Sequence, residues 1–246
     1  MKILVCIKPL SNTREINPCD LFALEEALLI RERLKDCAGG LPGEVDVITC
    51  SSREGGAAVL RRAFGMGADS GIHVLTEDMG YVSAFIRASR LAGALENFGY
   101  DMILTGIMSQ DQMEGETGPV LAEILGIPCA TGVVKTDFSA EAGSVIVERE
   151  MENGFRDVID IKLPALLAVQ SGINIPRYPS LTNMLAAGEK SIRTLDAGET
   201  AGAWPGDKFQ VCLKDPERTR AGCKVNGGLE DQADQLLSFL QHKDLT

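Results

Sequence analysis

Strand-like and helix-like segments alternate along the first part of the chain. Short, mainly apolar runs, typical of strands buried in a parallel sheet, occur at 2–7, 44–50, 71–75 and 102–104. The segments between them favour helices, and Asn17-Pro18 predicts the start of the first one, because Asn caps helices and Pro fits their first turn. This succession predicts a right-handed, doubly wound parallel α/β sheet.

The pattern changes after residue 130. Two segments in which apolar and charged residues alternate, 145–150 and 157–163, flank a turn at 151–154. They predict an antiparallel hairpin that extends the sheet. A last apolar strand is expected at Ala165–Val169.

The segment 171–181, SGINIPRYPSL, combines two prolines with Arg177, Tyr178 and Leu181. It is either a stiff surface loop or a loop that docks another protein. Docking is physically reasonable because large side chains on a proline-stiffened segment lose little entropy on binding.

The last part of the chain differs in composition from the rest. Residues 192–228 show no clear period, whereas 229–241 carry an apolar stripe at helical spacing. We therefore predict an α/β domain over 1–190. Residues 191–246 are predicted to form an extended arm with a helix that packs on a partner.

A polar, glycine-bearing loop follows the fourth strand-like run. It covers 107–116 and leads into a helix that we expect Thr117 to cap, with Pro119 in the first turn. Strand, polar loop and helix N-terminus can hold a phosphate, since unpaired N–H groups and a positive partial charge meet there. Many loops of this kind bind nothing, and the three carboxylates of this one also suit a solvated acidic loop.

Other segments are expected beside that loop. In doubly wound sheets, ligands bind beyond the carboxyl ends of the strands, where the strand order reverses. Cys6 and Lys8 end the first strand, Cys50 ends the second, and Asn17 starts the first helix. Their convergence favours a nucleotide site.

Composition excludes several classes of function. The net charge of −11 disfavours a nucleic-acid ligand, and no apolar run reaches the length of a membrane span. Seven scattered cysteines without a C-x-x-C pair indicate reduced thiols and a cytoplasmic protein. Two histidines supply acid–base chemistry poorly, and the P-loop, G-x-G-x-x-G and G-x-S-x-G motifs are all missing.

Several stretches together resemble the small (beta) subunit of electron-transfer flavoproteins. The stretches are 3–8 (ILVCIK), 17–27 (NPCDLFALEEA), 65–74 (GMGADSGIHV), 101–131, 147–154 (VEREMENG) and 163–186 (LPALLAVQSGINIPRYPSLTNMLA). The resemblance implies an adenine-nucleotide alpha-hydrolase-like fold and an electron carrier rather than an enzyme. It also implies a heterodimer with an alpha subunit that holds most of an FAD. The beta subunit binds AMP, or a second FAD in electron-bifurcating members.

The resemblance also implies a set of site residues. The nucleotide contacts would be Cys6, Asn17, Pro18, Cys19, Asp20, Cys50, Gly106, Ile107, Met108, Ser109, Gln110, Asp111, Gln112, Met113, Glu114, Gly115, Glu116 and Thr117. Backbone amides near Ser109 and from Gly115 to Thr117 would hold phosphate. Arg177, Tyr178 and Leu181 would dock on an acyl-CoA-type or other flavin dehydrogenase.

The loop departs from the family pattern, which is close to G-[KR]-Q-A-I-D-x-D. Ile107 stands where the family has a basic residue. The residues leave open whether the nucleotide is AMP or FAD. They also leave open a stand-alone adenine-nucleotide sensor without electron transfer.

Overall fold

The computed structural model describes residues 1–10, 14–36, 43–76, 82–95, 99–139, 143–200 and 224–242. The chain divides into two compact units, Met1–Lys208 and Phe209–Thr246. The candidate site lies in the first unit.

One nine-stranded sheet runs through the described part of the first unit. Its strands are β1 (Lys2–Cys6), β2 (Glu44–Ser51), β3 (Ser70–Leu75), β4 (Met102–Gly106), β5 (Cys129–Ser139), β6 (Ser144–Glu150), β7 (Arg156–Lys162), β8 (Ala165–Val169) and β9 (Ile192–Asp196). In space their order is β7-β6-β5-β8-β4-β1-β2-β3-β9. All neighbours from β5 to β9 are parallel, whereas β6 is antiparallel to β5 and β7.

Helices cover both faces of this sheet. They are α1 (Pro18–Asp36), α2 (Arg53–Met66), α3 (Ala84–Leu95), α4 (Thr117–Leu125), α5 (Leu181–Ala187) and α6 (Ala197–Thr200), with a short 3-10 helix at Glu152–Gly154. Successive side chains of a strand point to opposite faces. Ile3 and Val5 of β1 accordingly pack in the core that contains α1 and α2, whereas Leu4 packs in the core that contains α3 and α4. The predicted doubly wound α/β fold is confirmed, and so is the hairpin.

Two local predictions need correction, and one strand was missed. Residues 192–196 were expected in the arm, but they form β9, which pairs with β3. Thr117 was expected to cap α4, but it is the first helical residue and Glu116 occupies the cap position without a side-chain capping bond. The strand β5 was not predicted. The expected extended arm over 201–223 lies outside the described residues.

In the second unit the structure describes α7 (Leu229–His242), which matches the predicted C-terminal helix. Leu236, Leu237 and Leu240 on this helix are each about half exposed. An isolated helix of this length is only marginally stable in water. Among the described residues, no helix combines the length and hydropathy that a membrane span requires.

Candidate functional site

A cleft opens where β1, β2 and β4 end. The chain enters the sheet at β1 and continues to β2 on one side, while β4 lies on the other side, so this is a point where the strand order reverses. The empty space in the cleft is about 550 Å³, counting the part open to solvent.

Most of the predicted contact residues line this cleft. They are Cys6, Asn17, Asp20, Cys50, Gly106, Ile107, Met108, Ser109, Glu114, Gly115 and Thr117. The remaining ones lie outside its lining: Pro18, Cys19, Gln110, Asp111, Gln112, Met113 and Glu116. The convergence of separate segments at the rim is therefore as predicted, while whether these residues contact a nucleotide stays a prediction.

Asn17 fastens the loop to the start of α1. Its amide Nδ2 donates to the carbonyl oxygen of Met108 at 2.9 Å, and its Oδ1 accepts the backbone N–H of Gln110 at 3.0 Å. The side chain is almost completely buried. Asn17 therefore fixes the shape of the loop beside the cleft.

Asp20 joins the ends of two neighbouring strands. Its Oδ2 accepts the backbone N–H of Lys8 at 2.8 Å, and its Oδ1 accepts that of Gly106 at 3.1 Å. Burial raises the pKa of Asp20 to about 7, although these hydrogen bonds favour the charged form. Gly106 permits this approach, because a Cβ there would lie 2.7 Å from the Cβ of Cys19.

The acidic loop is compensated by cations from other elements. The Lys8 Nζ atom donates to Asp111 Oδ1 at 2.6 Å and to Gln112 Oε1 at 2.7 Å. Arg87 of α3 also donates to Gln112 Oε1, at 3.0 Å, and its Nη1 lies 3.9 Å from Glu114 Oε2. Asp111 and Glu114 of the loop thus each lie near a cation, which reduces their repulsion of an anion in the cleft.

Two buried hydroxyl groups at the cleft have no hydrogen-bond partner among the described residues. These are Oγ1 of Thr105 and Oγ of Ser109. Buried polar atoms are normally satisfied, so a bound ligand or water is expected to reach them. Polar groups of this kind fit the sugar and phosphate of a nucleotide.

The backbone N–H of Ser109 already has a partner within the chain. It donates to the carbonyl oxygen of Glu114 at 2.9 Å and closes the loop on itself. This amide is therefore already used within the chain. The Ser109 hydroxyl, rather than its amide, is the group that can meet a ligand.

The sequence interpretation did not single out Arg87, Leu91 or Thr105 as lining residues. Arg87 and Leu91 lie on α3, four residues apart, and therefore on one helical face. Only the packing of that helix against the sheet brings this face to the cleft. Thr105 follows the apolar run of β4, and its position at a strand end was a usable signal.

The predicted docking residues lie on a separate surface. The side chains of Tyr178 and Leu181 are 90% and 78% exposed. Arg177 instead donates to the carboxylates of Glu25 and Glu32. Whether this segment docks a partner stays a prediction.

A family comparison identifies the chain. A model described as "Electron transfer flavoprotein domain" matches residues 7–200, which is more than half of the chain. The chain belongs to the electron transfer flavoprotein family. It is 31% identical to an electron transfer flavoprotein subunit beta of Thermoanaerobacterium thermosaccharolyticum, with 99% of each chain covered.

Other electron transfer flavoprotein beta subunits are also similar. The chain is 29% identical to the one from Bacillus subtilis, with 92% of this chain and 85% of the relative covered. It is 35% identical to the one from Mycobacterium bovis, with 72% and 65% covered. Both are named subunit beta, as the resemblance in the sequence indicates.

The side chains in the described part of this electron transfer flavoprotein subunit form neither a metal-site geometry nor a disulfide. No group of three or more His, Cys, Asp or Glu residues there is arranged to hold a metal ion. The described cysteines, Cys6, Cys19, Cys50 and Cys129, are free thiols. Burial raises the pKa of Cys6 and Cys50, which keeps both thiols protonated.

Proposed function

We propose that this electron transfer flavoprotein subunit binds an adenine nucleotide in the cleft, either AMP or a second FAD. It pairs with a larger alpha subunit that holds most of the redox-active FAD. One observation supports the nucleotide in particular: the Thr105 and Ser109 hydroxyls are buried at the cleft and lack partners within the described chain.

The lining of the cleft combines apolar and polar groups. Ile7, Ile48 and Leu91 contribute an apolar wall. Thr105, Ser109 and the start of α4 contribute hydroxyl and amide groups. An apolar wall suits the faces of a purine ring, and hydroxyl and amide donors suit its ribose and phosphate.

A carrier role agrees with the side chains that the cleft provides. Bound FAD supplies reversible electron uptake, so this chain needs no nucleophile of its own. The residues of the chain bind and orient the nucleotide, and the packed sheet holds the rim rigid. The exposed Tyr178 and Leu181 then offer an apolar contact for a flavin dehydrogenase, of the acyl-CoA type or another type.

Nucleotide analysis of the purified complex tests this proposal. The chain is expressed alone and together with its alpha subunit, and nucleotides are released with acid. We expect the lone chain to be colourless or weakly yellow and the complex to be strongly yellow. One FAD and one AMP per dimer would identify an ordinary carrier, and two FAD would identify a bifurcating one. A strongly yellow lone chain, or a complex without a second adenine nucleotide, would contradict the proposal.

A stand-alone adenine-nucleotide sensor is the second candidate. Its nucleotide contacts would come from cleft residues of this chain such as Asn17, Thr105 and Ser109. A sensor would bind AMP or ATP as a homo-oligomer and would not form a flavin-containing complex. Size-exclusion chromatography with absorbance detection at flavin wavelengths separates the two candidates.

A further inference from the structure

The helix α3 brings a guanidinium group to the cleft. The Arg87 side chain is 12% exposed and lines the cleft, and its Nη1 lies 3.5 Å from the Oγ1 of Thr117, the first residue of α4. A helix N-terminus carries a positive partial charge of about half an elementary charge. Arg87 therefore places a second positive charge beside the first, which is unfavourable unless an anion lies between them.

The charged groups around Arg87 compensate it only in part. Glu114 Oε2 lies 3.9 Å from Nη1, which is within ion-pair range but too long for a hydrogen bond. Asp111 is hydrogen-bonded to Lys8. Asp20 also lines the cleft, and both of its oxygens accept backbone N–H groups. An additional anion would be favourable at this position.

Two hydroxyl groups point to the same ligand independently of the helix. Ser109 is 8% exposed and Thr105 is 5% exposed, and the hydroxyl oxygens of both lack partners among the described residues. A Cβ at Gly118, in the first turn of α4, would lie 2.8 Å from Thr105 Oγ1. Glycine at this position therefore allows the Thr105 hydroxyl to lie directly against the helix start.

The rest of the guanidinium is held in a fixed orientation. Its Nη2 donates to the carbonyl oxygen of Val82 and to Gln112 Oε1, both at 3.0 Å. This arrangement orients Nη1 towards the start of α4. A planar guanidinium that is already oriented loses little entropy when it binds a phosphate oxygen.

We propose that Arg87 is the phosphate-binding cation of this cleft, acting with the Ser109 hydroxyl and the first turn of α4. It supplies from α3 the charge that the loop lacks at Ile107. The ligand is the phosphate of an adenine nucleotide, either the monoester of AMP or the pyrophosphate of FAD. This inference rests on the proposed function, because it assigns the end of the cleft that holds the phosphate.

Titration of the full chain with AMP, adenosine and FAD tests the assignment. In Arg87→Ala we expect AMP to bind about tenfold more weakly or worse, which corresponds to the loss of one hydrogen bond to a charged group. Adenosine, which lacks the phosphate, should bind with unchanged affinity. Arg87→Lys keeps the charge but lacks the planar, bidentate guanidinium, so its affinity for AMP should lie between those of the unmodified chain and Arg87→Ala. If FAD is the natural ligand, the same loss appears in the FAD titration.

Arg62→Ala is the matched control, because it removes the same charge from α2, where Arg62 lies 3.9 Å from Glu15. It should leave all three affinities unchanged. Equal weakening of AMP and adenosine by Arg87→Ala would assign Arg87 a structural role and overturn the proposal, as would unchanged binding of AMP and FAD. If the unmodified chain binds AMP or FAD but Arg87→Ala binds it equally well, only the assignment of Arg87 fails. If the unmodified chain binds neither nucleotide, the proposed function fails.

Discussion

The guanidinium of Arg177 forms a bidentate ion pair with the carboxylate of Glu25. Nε donates to Oε2 at 2.9 Å and Nη2 donates to Oε1 at 3.0 Å, while the backbone N–H of Arg177 also donates to Oε2. Its Nη1 binds Glu32 of the same helix at 2.7 Å. The charge of Arg177 is thus used within the chain. It fixes the segment that carries Tyr178 and Leu181 onto α1.

Removing this ion pair should destabilise the fold. Arg177→Ala leaves the nearly buried carboxylate of Glu25 without its cation, and breaking such a pair costs about 2 kcal/mol or more of unfolding free energy. Urea unfolding of the two proteins measures the difference. Arg156→Ala, which loses only a surface pair with Glu148, should unfold like the original chain. Equal urea midpoints for all three proteins would show that the ion pair between Arg177 and Glu25 does not stabilise the fold.

Leu181→Ala tests the docking surface. Leu181 is largely exposed, so its truncation should leave folding and flavin content unchanged. The apparent affinity for the partner dehydrogenase, measured through flavin reduction, should fall about tenfold, as expected when a leucine side chain buried at an interface is lost. Stopped-flow reduction at varied dehydrogenase concentration measures this effect.

Val158→Ala is the control for that experiment. Val158 is also an exposed aliphatic residue, but it lies on β7, away from the segment that carries Leu181 in the sequence. This substitution should not alter the reduction rate. A parallel loss of flavin and of reduction rate in Leu181→Ala would instead mean that the segment is structural.

The raised pKa of Asp20 predicts a pH dependence of stability. Its ordinary value is 3.8 and its value in the fold is about 7. Between these values the folded chain keeps a proton that the unfolded chain has released. The contribution of Asp20 to the unfolding free energy therefore falls as the pH rises from about 4 to about 7, by at most about 1.4 kcal/mol per pH unit.

Asp20→Asn should remove this slope, which chemical denaturation at several pH values can measure. Burial lowers the pKa of His73 below its ordinary value of 6.5, so the contribution of His73 to the unfolding free energy rises with pH in the range below 6.5. His73 is present in both proteins, so its contribution cancels in their difference. Parallel stability profiles would show that Asp20 keeps an ordinary pKa.

The apolar face of α7 should be needed for the complex with the alpha subunit. Leu236 and Leu240 are exposed and lie on one face of the helix. Leu236→Asp places a charge on this face, and we expect little of the variant to co-purify with the alpha subunit. Ser238→Asp places the same charge on another face and should assemble normally. Recovery of flavin with an affinity-tagged alpha subunit measures both.

Local features of the sequence predicted much of the fold. Ala165–Val169 has the bounds that its apolar run indicates, and α1 starts at Pro18 as the Asn-Pro pair requires. The five residues of β9, IRTLD, carry no such pattern. Their strand character comes from pairing with β3, which lies more than a hundred residues earlier in the chain. Tertiary contacts override local preference there.

The candidate site was predictable where strand ends and loops define it. Asn17 and the loop follow directly from that rule, whereas Asp20 was expected from the family resemblance. Arg87 does not, because a helix carries charged residues on several faces and only packing decides which one meets the cleft. The pair between Arg177 and Glu25 joins residues 152 positions apart, so it left no mark in the local pattern.

The position of β9 has a practical consequence for shortening the protein. A truncation after residue 190, where the composition changes, would remove this strand and leave the backbone of β3 unpaired along its outer side. Bare strand edges recruit other chains, so such a fragment should form insoluble aggregates through edge-to-edge association. A fragment that keeps the chain through residue 200 retains its own cover for that edge.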